Sequence, residues 1–66
     1  MNVNKLKGKI VENGMNVELL ADAINVNRSS LYRKLNCFEK ITIGEAGRIK
    51  EALNLSAEEA IDIFLS

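Results

Sequence analysis

Residues 20–31 read LADAINVNRSSL, which predicts the end of one short helix, a tight turn and the start of a second helix. The first of these helices is expected over about residues 17–24 and the second over about residues 28–35. Asn25 lies between them, and Asn is one of the few non-glycine residues that tolerate a positive φ. Two short helices joined by so short a turn indicate a helix-turn-helix.

Three further helices are predicted around this pair from apolar spacing and end signals. The first covers about residues 3–12. Two capping-box pairs, Thr42 with Glu45 and Ser56 with Glu59, mark the starts of the fourth and fifth helices. The fold class expected is therefore all-α, a compact five-helix bundle. The apolar residues expected to be buried in the second and fourth helices are Leu19, Leu20, Ala23, Ile24, Ile43, Ala46, Ile49 and Leu53.

The composition restricts what this chain can do. We expect residues 1–66 to form a single domain, because so short a chain builds only one small core. One Cys, at position 37, and no His leave no disulfide, no plausible metal site and no Cys–His nucleophile, so neither a cofactor nor catalysis is expected. The sequence shows no signal peptide and no apolar run near the roughly 20 residues that span a bilayer. A cytoplasmic protein without a membrane partner or a small-molecule substrate is predicted.

The charges are balanced overall but unevenly distributed. The formal net charge is zero, which argues weakly against a nucleic-acid partner. Residues 1–40 carry seven Lys or Arg against four Asp or Glu, and residues 41–66 carry two against five. This asymmetry favours one basic face and an acidic remainder, although a chance imbalance explains it equally well.

The third predicted helix carries the functional signal. Its only apolar seam is Leu31 and Leu35, one turn apart, so most of its side chains point outward. Arginine donates two hydrogen bonds to guanine, and hydroxyl groups contact bases or phosphate in the major groove of DNA. A solvated amphipathic helix is the alternative interpretation. The residues predicted to contact bases are Arg28, Ser29, Tyr32 and Arg33.

Residues 20–31 resemble the helix-turn-helix of the phage Cro/repressor (Xre-type) family, in which a small residue such as Ala21 lets the two helices approach. The usual turn glycine is Asn25 here, and Val26 and Leu31 match apolar core positions of the family. Residues 27–35 are also very similar to the recognition helix of Fis-type DNA-binding proteins. The five-helix layout over nearly the whole chain resembles short phage-encoded regulators of Gram-positive bacteria.

The resemblance also directs attention to phosphate contacts. The phosphate-binding side chain of the Cro/repressor family falls near Asn16 or Val17, and Val17 cannot perform that role. Lys34 and Lys40 flank the recognition helix. Lys5 and Lys9 on the first helix could touch phosphate, but a solvated face explains them better. The residues predicted to contact phosphate are Asn16, Asn27, Lys34 and Lys40.

The apolar residues of the fifth helix suggest an interface. If Ile61 and Phe64 are buried in their own domain, Ile63 and Leu65 point elsewhere, although monomeric packing accounts for them equally well. Cro-like proteins commonly dimerise so that two recognition helices reach half-sites about 34 Å apart. We expect a homodimer through Ile63, Phe64 and Leu65, with a possible contribution from the loop at residues 37 and 38.

The function predicted is that of a sequence-specific transcriptional regulator of the Cro or repressor type, with double-stranded operator DNA as its partner. The alternative is a protein-interaction or antitoxin-like module that uses the same fold without reading DNA. An effect of mutating Arg28 and Arg33 on DNA binding would distinguish the two.

Overall fold

The computed structural model describes residues 1–36 and 41–65. These residues form five α-helices and no strand, which confirms the all-α prediction. None of these helices is long and apolar enough to cross a membrane. The helices are α1 (Val3–Glu12), α2 (Val17–Ala23), α3 (Arg28–Asn36), α4 (Ile43–Ala52) and α5 (Ala57–Phe64).

The core receives side chains from all five helices and from the turns after α2 and α4. Aliphatic residues dominate it, because few aromatic residues are present to fill the space between short helices. Its buried members are Leu6, Ile10, Leu20, Ala21, Ile24, Leu31, Leu35, Ile49, Leu53, Leu55 and Ile63.

Three helix junctions have the same backbone geometry. The residues Gly14, Asn25 and Asn54 have φ values of 70°, 59° and 52°, so each occupies the left-handed region. After each of them, the next residue donates its N–H to a carbonyl five residues earlier, at 3.0, 2.9 and 2.9 Å. This bond satisfies a carbonyl that the end of the helix leaves without a partner. The positive φ expected at Asn25 is confirmed.

Asn25 provides a test of this geometry. Replacing Asn25 by Ala should lower the free energy of unfolding by about 1 kcal/mol, because a Cβ without a local hydrogen-bonding group is disfavoured in the left-handed region. Replacing it by Gly should leave stability unchanged or raise it. Urea denaturation of both variants checks this, and equal losses in the two variants would contradict it.

The buried face of α2 differs from the predicted one. Leu20 and Ala21 are fully buried, whereas Leu19 is 48% exposed and Ala23 is exposed. The helix therefore turns positions 17, 20, 21 and 24 toward the core, a stripe with i, i+3, i+4, i+7 spacing. Ala21, the small residue expected to let α2 and α3 approach each other, lies on this stripe.

The start of α4 also differs from the prediction. Ile43 is 93% exposed, while Glu45 is 8% exposed and is the buried member of this turn. The Thr42 hydroxyl accepts the Glu45 N–H at 3.1 Å, and the Glu45 carboxylate accepts the Thr42 N–H at 2.9 Å. This capping box turns Glu45 inward and leaves Ile43, two residues earlier, outside.

The prediction that Ile63 points outward is wrong. Ile63 is fully buried, while Ile61 is 54% and Leu65 is 78% exposed, and Phe64 is half-buried. The reason is that α1 packs on this side of α5, where the Asn2 N–H donates to the Ile63 carbonyl at 2.7 Å. The apolar residues left on the outside of α5 are therefore Ile61 and Leu65.

Candidate nucleic-acid interface

Helix α3 lies on the surface and is anchored by the two predicted leucines. Leu31 and Leu35 are each 2% exposed, which confirms the seam. The helix begins after Asn27, whose side-chain oxygen accepts the Ser30 N–H at 3.2 Å. The structure brings together on the exposed part of this helix all four predicted base-contacting residues: Arg28, Ser29, Tyr32 and Arg33.

The two asparagines predicted to contact phosphate both cap helices. At the start of α2, the Asn16 side-chain oxygen accepts the Leu19 N–H at 2.8 Å. At the start of α3, the Asn27 side-chain oxygen accepts the Ser30 N–H in the same way. Capping uses the oxygen of each side-chain carboxamide. The NH₂ group of each carboxamide stays available to donate a hydrogen bond to a phosphate oxygen. Both asparagines are exposed.

Arg28 is bound to two carboxylates of α2. Its Nε and Nη2 donate to the two carboxylate oxygens of Asp22 at 3.1 and 2.5 Å, and its Nη1 donates to Glu18 at 3.2 Å. The hydrogen bond from Arg28 holds the pKa of the Asp22 carboxyl below its ordinary value, and the same bond raises the pKa of Arg28. All three side chains remain about half exposed.

Glu18 also connects Arg28 to Tyr32, because its second oxygen accepts the Tyr32 hydroxyl at 3.5 Å. Glu18, Asp22, Arg28 and Tyr32 thus form one polar cluster across the two helices, which we call the α2–α3 cluster. Neither carboxylate was predicted from the sequence as a site residue. The available signal was their i, i+4 spacing on α2, close before a short turn and an arginine at the first position of α3.

Lys34 is bound to a carboxylate of the next helix. Its Nζ donates to both Glu45 oxygens, at 2.7 and 2.5 Å, and the two side chains are only 19% and 11% exposed. The bond from Lys34, followed by that from the Thr42 backbone, lowers the pKa of Glu45. Lys34 thus joins α3 to α4, and its predicted phosphate contact stays a prediction. Lys40 lies outside the described residues, as do residues 37 and 38.

The same pattern recurs between α1 and α5. Lys9 forms an ion pair with Glu59, the glutamate of the second capping box, and Lys5 pairs with Asp62 at 3.0 Å. The hydrogen bonds from Lys9 and from the Ser56 backbone lower the pKa of Glu59 to about 2. Each capping-box glutamate thus also binds a lysine from an earlier helix. Lys5 and Lys9 hold α5 rather than forming a basic surface.

No group of three or more His, Cys, Asp or Glu side chains within residues 1–36 and 41–65 is placed to hold a metal ion. Comparison of the chain with protein-family models, with curated proteins and with solved structures finds no match. The exposed face of α3 and the residues that surround it are therefore the features that indicate a function.

Proposed function

We propose that this protein is a sequence-specific DNA-binding regulator of the phage Cro/repressor type, which acts in the cytoplasm by inserting α3 into the major groove. The observation that carries the proposal is the exposure of a donor-rich face on a helix whose only buried side chains are two leucines. The path from α2 to α3 through a left-handed Asn25 supports it, because a short turn of this kind sets a second helix at an angle to the first.

The residues divide into base-reading and positioning groups. Arg28 and Ser29 stand at the N-terminal end of α3, the end that usually meets base edges, and Tyr32 and Arg33 follow one turn later. The NH₂ groups of the two capping asparagines contact phosphate at the starts of α2 and α3. Such contacts fix the register of the protein on the duplex without reading sequence.

A homodimer would place two copies of α3 on neighbouring half-sites about 34 Å apart. The surface available for it is the outer side of α5, where Ile61 and Leu65 are exposed one turn apart and Phe64 is half-buried. Two exposed aliphatic residues at this spacing form an apolar strip suited to an equivalent strip on a second copy. An enriched DNA sequence with two inverted halves would support this arrangement.

Selection from a pool of random duplexes at low salt tests the proposal. The wild-type protein should enrich a short inverted repeat. Replacing Arg28 by Ala should weaken binding to that sequence by roughly tenfold to a hundredfold and relax the preference at one base position, because a bidentate arginine contact supplies that discrimination. Arg48→Ala, which removes an exposed arginine on α4, is the matched control and should change affinity little. Absence of any enriched sequence would overturn the proposal.

A protein-interaction module is the second candidate. The specific observation that favours it is that Asp22 and Glu18 already compensate the charge of Arg28, whereas DNA-binding surfaces typically carry uncompensated positive charge. The exposed apolar residues Leu19, Ile61 and Leu65 would then contact another protein. This candidate predicts that no duplex sequence is enriched and that Arg28→Ala has no effect on nucleic-acid binding.

A further inference from the structure

The α2–α3 cluster contains an arginine whose charge is already compensated. The Nε, Nη1 and Nη2 atoms of Arg28 each donate to a carboxylate of Asp22 or Glu18. A guanidinium has five N–H donors, so donors remain for an acceptor outside the protein. The three charged groups together carry one positive and two negative formal charges. Arg28 can therefore donate hydrogen bonds to a ligand, but the group of three side chains has no net positive charge.

This arrangement should attract a phosphate less strongly than an isolated arginine would, while leaving hydrogen bonds to base edges possible. A phosphate that approaches Arg28 also approaches Asp22 and Glu18, so attraction and repulsion largely cancel at similar distances. The O6 and N7 atoms of guanine are neutral acceptors, and binding them depends on the number and direction of the donors. If Arg28 moved to a phosphate instead, it would leave two unpaired carboxylates beside the DNA backbone.

We propose that Glu18 and Asp22 are specificity-determining residues of the DNA-binding face, which keep Arg28 for base edges and oppose binding through phosphate contacts alone. The inference rests on the proposed function and adds two residues to it. These carboxylates act through Arg28 and through their own repulsion of phosphate, and they read no base themselves.

The position of Asp22 supports this role over a structural one. Asp22 lies in the last turn of α2, where a negative charge is disfavoured by the helix dipole, and α2 has no basic residue in that turn. Both carboxylates are about half exposed and contribute nothing to the core. Their only side-chain partners among the described hydrogen bonds are Arg28 and Tyr32.

The test uses the double variant Glu18→Gln/Asp22→Asn, which keeps the side-chain shapes and acceptor oxygens but removes both charges. Affinity is measured for the sequence that the wild type enriches and for a random duplex of equal length, over a range of salt concentrations. The variant should bind the random duplex roughly tenfold tighter at low salt, because two repelling charges are gone and Arg28 is released to phosphate. Its salt dependence should steepen by about one unit of slope. Affinity for the enriched sequence should change by less than about threefold, so the specificity ratio falls.

The matched control is Glu12→Gln/Glu58→Gln, which makes the same change of net charge at exposed positions on α1 and α5. Neither control carboxylate bonds to Arg28, so the control should change the specificity ratio less than the test variant does when the two are compared at the same salt concentration. An equal effect of control and test variants overturns the inference, as does an unchanged ratio and slope in the test variant. If the wild type enriches nothing, the proposed function fails and the inference fails with it. If the wild type does enrich a sequence, the proposed function stands, and the double variant then tests the inference alone.

Discussion

Replacing Leu31 by Ala is expected to lower the free energy of unfolding by about 2–5 kcal/mol, the cost of removing a buried leucine side chain and leaving a cavity. Leu31 is 2% exposed and is one of the two buried residues of α3. For a chain of 66 residues, the total stability is on the order of 3–10 kcal/mol. If the total stability lies at the lower end of that range, the variant should therefore be largely unfolded at 37 °C. Urea denaturation followed by circular dichroism measures the loss.

Two neighbouring variants make this result interpretable. Tyr32→Ala removes a larger side chain from the next position, but Tyr32 is 40% exposed, so its loss of stability should be clearly smaller. Leu31→Met conserves volume and should cost less than about 1.5 kcal/mol. If Leu31→Ala cost no more than Tyr32→Ala, α3 would not be held by the seam that the structure shows.

Replacing Glu45 by Ala is expected to cost about 2–4 kcal/mol, because one change removes half of a capping box and leaves Lys34 without its partner. The Lys34 and Glu45 side chains are only 19% and 11% exposed, so solvent replaces little of what is lost. Glu45→Gln should cost less, since Gln still accepts the Thr42 N–H and retains the cap. Chemical denaturation at pH 7 compares the two variants, and equal losses would show that the charge, rather than the cap, dominates.

The Glu45 contribution should also appear in the way the free energy of unfolding depends on acid pH. The pKa of Glu45 is lowered in the folded state, so between this value and about 4.5 the unfolded chain binds the extra proton. The contribution of Glu45 is therefore present above about pH 4.5 and is lost as the pH falls through the folded pKa. Glu45→Gln should remove this part of the acid dependence. The similar contribution of Glu59, whose folded pKa is about 2, should remain in the variant. A wild-type and a Gln variant with parallel stability curves from pH 5 to 2 would contradict this account.

Features that depend on near neighbours could be predicted from the sequence. Both capping boxes, the Asn25 turn and the Leu31/Leu35 seam follow from residues within one or two turns of each other. These local preferences also set the number and order of the helices. They fix the position of α3 in the chain and the residues that it exposes.

Features that depend on how helices pack could not be predicted in the same way. Helix α5 has apolar residues on more than one side, and only the packing of α1 decides that Ile63 rather than Ile61 is buried. Lys34 is a cation on α3, but the sequence alone does not show that Glu45 of the next helix lies within hydrogen-bonding distance of it. For the carboxylates around Arg28 the sequence offers only their i, i+4 spacing on α2, because their contact with Arg28 forms only when α2 and α3 come together.

The hydrogen bond from Asn2 to Ile63 has a consequence for the order of folding. It closes a loop of about 60 residues, for which the entropic cost of closure is roughly 3–4 kcal/mol before any contact compensates it. The contacts between α2 and α3 close loops of about ten residues, for which the cost is roughly 2 kcal/mol. We therefore expect α2 and α3 to associate early in folding and α1 to dock on α5 late. The helix pair that carries the α2–α3 cluster would then be assembled before the two ends of the bundle meet.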